Sequence, residues 1–283
     1  MAAVLERLIR PTSPGEAAAA RAADPHATVI AGGTLVVADR ALGGAAPPAY
    51  ILLSAIPSLR AIASDATGTR VGAMATLRDL HSAAPGPMLD TALRSLASPQ
   101  IRNRGTVGGN IADRRPHHTL LPCLIALDAR ITVAAPGGSA ERSAGAFASA
   151  GLGADELVES VLIPTGPGFQ RFTRVAPRNG PGYAVASLAL CIDAASRSVR
   201  SGLGAVGATP LAAAAADAFL AGAIDWPAGS VPAGAAEEFG RLLGEACDPV
   251  TDDRATAAYR RHAIEVMGRR LVEDWSEGAA RGR

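Results

Sequence analysis

The sequence predicts an α+β chain in three parts: a small parallel strand–helix–strand unit, a mostly antiparallel sheet with helices on one side, and a hairpin followed by helices. Three observations carry this. Two short apolar runs, residues 28–31 and 50–53, flank a helical stretch at 36–42; strand, helix, strand in about 25 residues is the pattern of a parallel pair. Several short strands then follow in series up to residue 175. From Gly182 the texture changes again, to a hairpin and alanine-rich helical stretches. A chain of 283 residues is near the size at which single cores split, so two domains are expected.

Taken in order, residues 16–23 are alanine-rich and read as a helix. Residues 28–31 stop at Gly32-Gly33, as a buried strand entering a tight loop does. Short strands at 59–63 and 70–73 surround the turn Asp65-Ala66-Thr67-Gly68. Thr76 is placed to cap a helix at 77–81, and 88–97 reads as another. Residues 98–110, with Pro99 and three glycines, read as loop. Residues 120–127 are apolar throughout and read as a buried helix, with Pro122 near its first turn. Residues 129–134, 156–163 and 169–175 read as strands. Residues 184–193 and 198–206 flank Ala194-Ala195-Ser196-Arg197 as a hairpin. Helices follow at 211–220, 235–246 and 254–275. In the last, Tyr259, Ala263, Met267, Leu271 and Trp275 recur every fourth position as one apolar stripe, with Thr251 or Asp252 as cap. Residues 276–283 read as a short tail.

Composition removes several function classes. Apolar residues make up 48% of the chain, enough for packed cores and too many for a disordered chain. A net charge of +1 gives no argument for nucleic acid or an anionic membrane. All 27 basic residues are arginine, so no Schiff-base, Walker or general-base lysine exists. Cys123, Cys191 and Cys247 are far apart and form no C-x-x-C, so this chain is not expected to hold an iron–sulfur cluster or a structural zinc. An odd cysteine count without a disulfide framework suits the cytoplasm. The stretch Met1-Ala2-Ala3-Val4-Leu5-Glu6-Arg7 is too polar for a signal peptide. The best candidate for a membrane span, residues 205–224, is broken by Pro210 and Asp217.

Two glycine loops carry the chemistry. Ala31-Gly32-Gly33-Thr34 follows a strand and precedes a helix, so bare backbone N–H groups and a positive helix end can meet an anion. One such pair reads first as an ordinary tight turn. The second, Thr106-Val107-Gly108-Gly109-Asn110, adds hydroxyl and amide donors, and two nests could grip two sides of one diphosphate. Arg102, Arg104, Arg114 and Arg115 surround it, as a solvated basic patch or as phosphate or partner contacts. A third pattern, Gly202-Leu203-Gly204-Ala205-Val206-Gly207 with Asp225 downstream, matches the dinucleotide fingerprint. It sits in a hairpin rather than between a parallel strand and a helix, so close strand packing explains it better. His117-His118 lack the neighbours a metal needs, and no Ser/His/Asp or Cys/His set stands out.

The residues resemble the FAD-binding medium subunit of the molybdenum hydroxylases, the xanthine dehydrogenase and carbon monoxide dehydrogenase family. The strongest stretch is Ala97-Ser98-Pro99-Gln100-Ile101-Arg102-Asn103-Arg104-Gly105-Thr106-Val107-Gly108-Gly109-Asn110-Ile111-Ala112. Ile30-Ala31-Gly32-Gly33-Thr34 matches the first loop. Further similar stretches are residues 71–77, 121–129, 155–164, Ala176-Pro177-Arg178-Asn179 and 248–261, in order along nearly the whole chain.

The resemblance implies a vanillyl-alcohol-oxidase-type FAD-binding domain over residues 1–175, with subdomains of about 1–56 and 57–175. A C-terminal domain at 176–283, a three-stranded sheet with helices, follows. It implies FAD contacts from Ile30, Ala31, Gly32, Gly33, Thr34 and Leu35, from Thr106, Val107, Gly108, Gly109 and Asn110, and from Ile101 and Arg102 near the flavin. Thr119, Leu162 in the 157–163 strand, and Arg174 complete the implied set. No protein acid or base and no metal ligand is expected. The implied partners are a molybdopterin large subunit, a 2Fe-2S small subunit and a small-molecule electron acceptor. Three positions depart from the family: Thr119 stands where an acidic residue is usual, Arg174 is the nearest base where a lysine is common, and Leu35 replaces Asp or Ser. They leave open a stand-alone FAD-dependent oxidoreductase, or a scaffold that has lost its flavin.

Overall fold

The structure is a computed structural model that describes residues 7–166, 168–177 and 182–281. The first six residues, read above for a leader, lie outside it, as do Arg178 and Asn179 of the family-like stretch. The chain forms two compact units. One takes residues 1–84, 98–113 and 130–163, and the other 85–97, 114–129 and 164–283.

The first unit opens with β1 (Arg7–Ile9), α1 (Pro14–Ala23), β2 (Thr28–Ile30), α2 (Thr34–Ala41) and β3 (Ala49–Leu52). β3 is the centre of a three-stranded parallel sheet, with β1 and β2 on its sides. Ser13 starts α1 by accepting a hydrogen bond from the Glu16 N–H, with Pro14 in the first turn, and small Ala17 and Ala18 are its buried residues. Next come β4 (Ile62–Asp65) and β5 (Gly68–Gly72), a hairpin whose turn is held by the Thr67 N–H and hydroxyl on Asp65 Oδ1, at 2.7 and 2.6 Å. α3 (Leu77–Ser82) begins with a reciprocal capping box between Thr76 and Asp79. α4 (Pro87–Ser95) belongs to the second unit, α5 (Pro99–Arg102) and α6 (Val107–Ala112) to the first, and α7 (Leu120–Ala126) again to the second. β6 (Arg130–Ala135), β7 (Gly138–Ser143), α8 (Ala144–Ala150) and β8 (Leu157–Pro164) complete a five-stranded sheet in the order β4-β5-β8-β6-β7.

The second unit carries β9 (Phe169–Val175), β10 (Ala186–Asp193) and β11 (Ser198–Gly204), an antiparallel sheet in the order β11-β10-β9. Every residue of β10 is buried, Ser187 and Asp193 included. α9 (Ala214–Ala223), α10 (Ala235–Glu245) and α11 (Ala257–Arg281) build its core with Leu220, Phe239, Leu243, Ile264 and Val272. Gly240 lets α10 meet α11 backbone to backbone, since a Cβ there would stand 2.4 Å from the Glu265 carbonyl oxygen. No helix among the described residues is long and apolar enough to cross a membrane.

The α+β class and the three-stranded C-terminal sheet hold, and several local readings change. Residues 98–110 are not loop throughout, because Ser98 and Thr106 cap the short helices α5 and α6. Leu59 and Arg60 lie in a 3-10 turn, Pro57–Arg60, and the strand starts at Ile62. β9, read in series with residues 129–134 and 156–163, pairs with β10 instead. β1, β7 and α8 carry no clear signal: β1 is three residues long, and β7 is made of small and charged residues with no apolar face. α11 is capped through Thr256, with Thr251 Oγ1 holding the Ala257 N–H, and it continues to Arg281, into the residues read as tail. Its stripe also shifts. Tyr259 is exposed, and Arg260, Ile264 and Val272 are the more deeply buried residues. Arg260 is buried because three acceptors meet it: Val185 O at 2.7 Å, Ala205 O at 2.9 Å and Asp252 Oδ1 at 2.6 Å. The fingerprint-like glycines lie in and after β11. A Cβ at Gly202 would stand 1.9 Å from Pro122 O, and one at Gly204 2.5 Å from Ser187 Oγ, so these glycines let α7 and β10 pack closely.

Candidate cofactor site

The first loop is set by β2 and α2. β2 ends at Ile30, opposite Leu52 of β3, and the chain turns through Ala31-Gly32-Gly33. Gly33 is the residue before α2, with φ at 74°, a conformation that favours glycine. The first bond into the helix runs from the Val37 N–H to Gly33 O at 2.9 Å. The N–H groups of Thr34, Leu35 and Val36 therefore have no helical acceptor. No side chain caps them, and the first turn holds no acidic residue. This is an open, positively polarised helix end.

The second loop is built oppositely. The Val107 N–H donates to Ala75 O and the Gly108 N–H to Ala73 O, both at 2.9 Å. The Gly109 N–H is taken by Thr106 Oγ1 at 3.1 Å and the Asn110 N–H by Thr106 O at 3.0 Å. The Gly105 N–H bonds Ile101 O at 2.6 Å, and Gly105 O accepts from the Leu77 N–H at 2.8 Å. The expectation of a second amide nest does not hold, because these N–H groups are already spent on the protein's own carbonyls and a threonine cap. Gly108 is needed for packing: a Cβ there would stand 2.5 Å from Ala73 Cβ.

The two loops touch. A Cβ on Gly32 would lie 2.0 Å from Arg104 O, and one on Gly109 would lie 3.7 Å from Ala31 Cβ. Thr34 Oγ1 is 3.8 Å from the Cβ position of Gly105. The result is one continuous wall whose uncapped helix start is that of α2. Neither Ile30–Leu35 nor Ser98–Asn110 contains a carboxylate, while the wall carries Arg102, Arg104, Thr34 and Asn110. That donor set suits a phosphate-bearing ligand.

The other sequence-expected residues are distributed as follows. Ile101 is 40% exposed on α5, and Arg102 is half-buried beside it. Val107 and Thr106 are buried, the first as core and the second as helix cap. Leu162 is half-buried on β8 opposite Arg130 of β6. Thr119 and Arg174 belong to the second unit. Thr119 is buried ahead of α7, its carbonyl accepting from Cys123 Sγ at 3.4 Å. Arg174 donates to Gly182 O at 2.8 Å, and burial lowers its pKa. His117 faces the Tyr183 ring, centroids 4.0 Å apart, with the Arg254 guanidinium 4.7 Å from the same ring. Burial first, then the charges of His118, Arg254, Arg115 and Arg260, pushes His117 down to about 4, so it is neutral near pH 7. Among the described residues no group of His, Cys, Asp and Glu is placed to hold a metal. Ala73 and Ala75 escaped the sequence reading, because they act through backbone carbonyls, which any residue supplies.

Residues 4–166 match the model of the FAD binding domain in molybdopterin dehydrogenase. The chain belongs to this family. Residues 171–275 match the CO dehydrogenase flavoprotein C-terminal domain, so both parts are those of an FAD-binding medium subunit of the molybdenum hydroxylases, an oxidoreductase subunit whose cofactor is FAD. Among relatives, the carbon monoxide dehydrogenase medium chain of Afipia carboxidovorans is 30% identical over 260 residues, covering 86% of this chain and 87% of that one. The nicotine 6-hydroxylase medium subunit of Paenarthrobacter nicotinovorans is 30% identical over 198 residues, 67% of this chain and 69% of the relative. Among solved structures, CO dehydrogenase from Oligotropha carboxidovorans superposes with a TM-score of 0.84 at 27% identity, over 96% of this flavoprotein subunit and 98% of that chain. Quinoline 2-oxidoreductase from Pseudomonas putida 86 gives 0.82 at 26%, over 97% and 98%.

Proposed function

We propose that this subunit takes electrons from iron–sulfur clusters on a partner and delivers them through FAD to a small-molecule acceptor, within a complex that also holds a molybdopterin subunit. The observation that carries the cofactor part is the uncapped start of α2 beside Gly33, walled by the second loop. Bound FAD would supply the two-electron to one-electron redox chemistry. The chain's own residues bind and orient it. The N–H groups of Gly32, Gly33, Thr34 and Leu35 would hold the diphosphate. Ile30, Ala31 and Thr106–Asn110 form the wall, with the Asn110 amide as a side-chain contact. Ile101, Arg102, Leu162, Thr119 and Arg174 serve the rest of the cofactor. We place the FAD-binding domain at 1–175, the second domain at 176–283, and the protein in the cytoplasm, in keeping with three buried free cysteines.

The relatives' names support the complex: those cited above are medium chains or subunits, and another from Paenarthrobacter nicotinovorans is named as subunit alpha of a 6-hydroxypseudooxynicotine dehydrogenase complex. The test is purification from the native cell. Flavin absorption bands, with an iron–sulfur and a molybdopterin subunit travelling alongside, are expected. A lone protein that turns over a substrate at full rate would refute the subunit role.

A further inference from the structure

Arg104 stands where the two glycine loops meet. Its carbonyl oxygen lies against Gly32, and the next residue, Gly105, lies beside Thr34. Its backbone is fixed by a bond from its N–H to Ile101 O at 3.1 Å. Its side chain is exposed, and it forms no ion pair or hydrogen bond with a described residue. Several other arginines of the same unit, though not Arg10 or Arg60, are engaged: Arg7 with Asp24, Arg142 with Glu156, Arg21 with Ala154 O, and Arg70 with Ser160 and Glu141.

A diphosphate carries more negative charge than one helix end, worth about half an elementary charge, can balance. The chain has no lysine. With the amides of residues 107–110 bound to the protein, the second loop can reach an anion only through side chains. Arginine suits phosphate oxygens because its planar fork donates two hydrogen bonds in parallel. Resting on the FAD site proposed above, we propose that Arg104 is the cation that neutralises the cofactor's diphosphate, a choice the sequence left open among four arginines and three roles.

The test uses flavin-free full-length protein, with any accompanying subunits retained. It is titrated with FAD and with riboflavin, which has the same ring and no phosphate, at low and high salt, and flavin fluorescence is followed. Arg104→Gln is expected to weaken FAD binding about tenfold at low salt and to flatten its salt dependence. Riboflavin binding is expected to stay unchanged, and Arg104→Lys to recover part of the loss. FAD affinity and salt slope equal to wild type in Arg104→Gln would overturn the role and leave the FAD site standing. An equal loss for FAD and riboflavin would also overturn it, since that marks a damaged wall. So would unchanged FAD affinity with loss of the accompanying subunits, which marks a docking arginine. Wild-type protein that takes up no FAD would overturn both the role and the site.

Discussion

The two glycine loops look alike in sequence and differ in how their backbones are used. At Ala31-Gly32-Gly33-Thr34 the helix start is uncapped, and Gly33 adopts a left-handed conformation with nothing nearer than 3.8 Å to an added Cβ. At Thr106–Asn110 the helix start is capped by Thr106, and every N–H from Val107 to Asn110 has a protein acceptor. The same residue type therefore serves two ends. In the first loop Gly33 sets the left-handed turn into an uncapped helix start while Gly32 packs against Arg104 O, and in the second Gly108 lets backbone pack on Ala73. Glycine pairs alone do not mark a phosphate site; unspent N–H groups do.

The contrast can be broken by substitution. Gly108→Val should have the largest effect and act on the fold. Its Cβ would press on Ala73, 2.5 Å from Cβ and 2.9 Å from the carbonyl oxygen. Overpacking of this kind costs about 3 kcal/mol, so the flavin-free protein should melt well below wild type. A Gly108→Val apoprotein that melts with wild type would remove the packing role. Gly33→Ala should cost about 1–2 kcal/mol from its left-handed backbone and leave the fold intact, yet lower FAD affinity at least tenfold. Here the added methyl meets only Ile30 and Val37, at the ordinary contact distances of 3.8 and 3.9 Å, so the protein itself has room for it. Normal FAD affinity with only the stability loss would move the diphosphate away from α2.

Much of this was legible in the sequence, and the omissions share one cause. The parallel β2–α2–β3 unit, the α3 cap, the β10–β11 hairpin and the closing helices follow from apolar runs and capping residues. The short helices α5 and α6 were hidden by Pro99 and three glycines, because a turn-rich composition also fits a capped one-turn helix. The division of labour between the loops was hidden for a deeper reason. It depends on where Ala73 O, Ala75 O and Arg104 O lie, and backbone acceptors carry no sequence signature. Thr106 is the exception. A threonine three residues before Gly109 is an N-cap pattern, and weighing it as a cap rather than as a ligand donor would have flagged the second loop as self-satisfied.

The paired threonines give the finer comparison. Thr106→Val removes the cap on the Gly109 N–H and should cost about 1 kcal/mol of stability, read by denaturant unfolding of the apoprotein. Its effect on FAD should not exceed what a loosened α6 transmits. Thr34→Val should do the reverse. Thr34 Oγ1 has no role as a cap in α2, and valine keeps the branched shape, so apoprotein stability should stay within about 0.5 kcal/mol. FAD affinity should fall by the worth of one hydrogen bond, about 0.5–1.5 kcal/mol, or roughly two- to tenfold. If Thr34→Val unfolds the protein more than Thr106→Val does, the first loop is structural as well. If neither changes FAD affinity, the wall's hydroxyls do not reach the cofactor, and recognition falls to the α2 amides and the arginines.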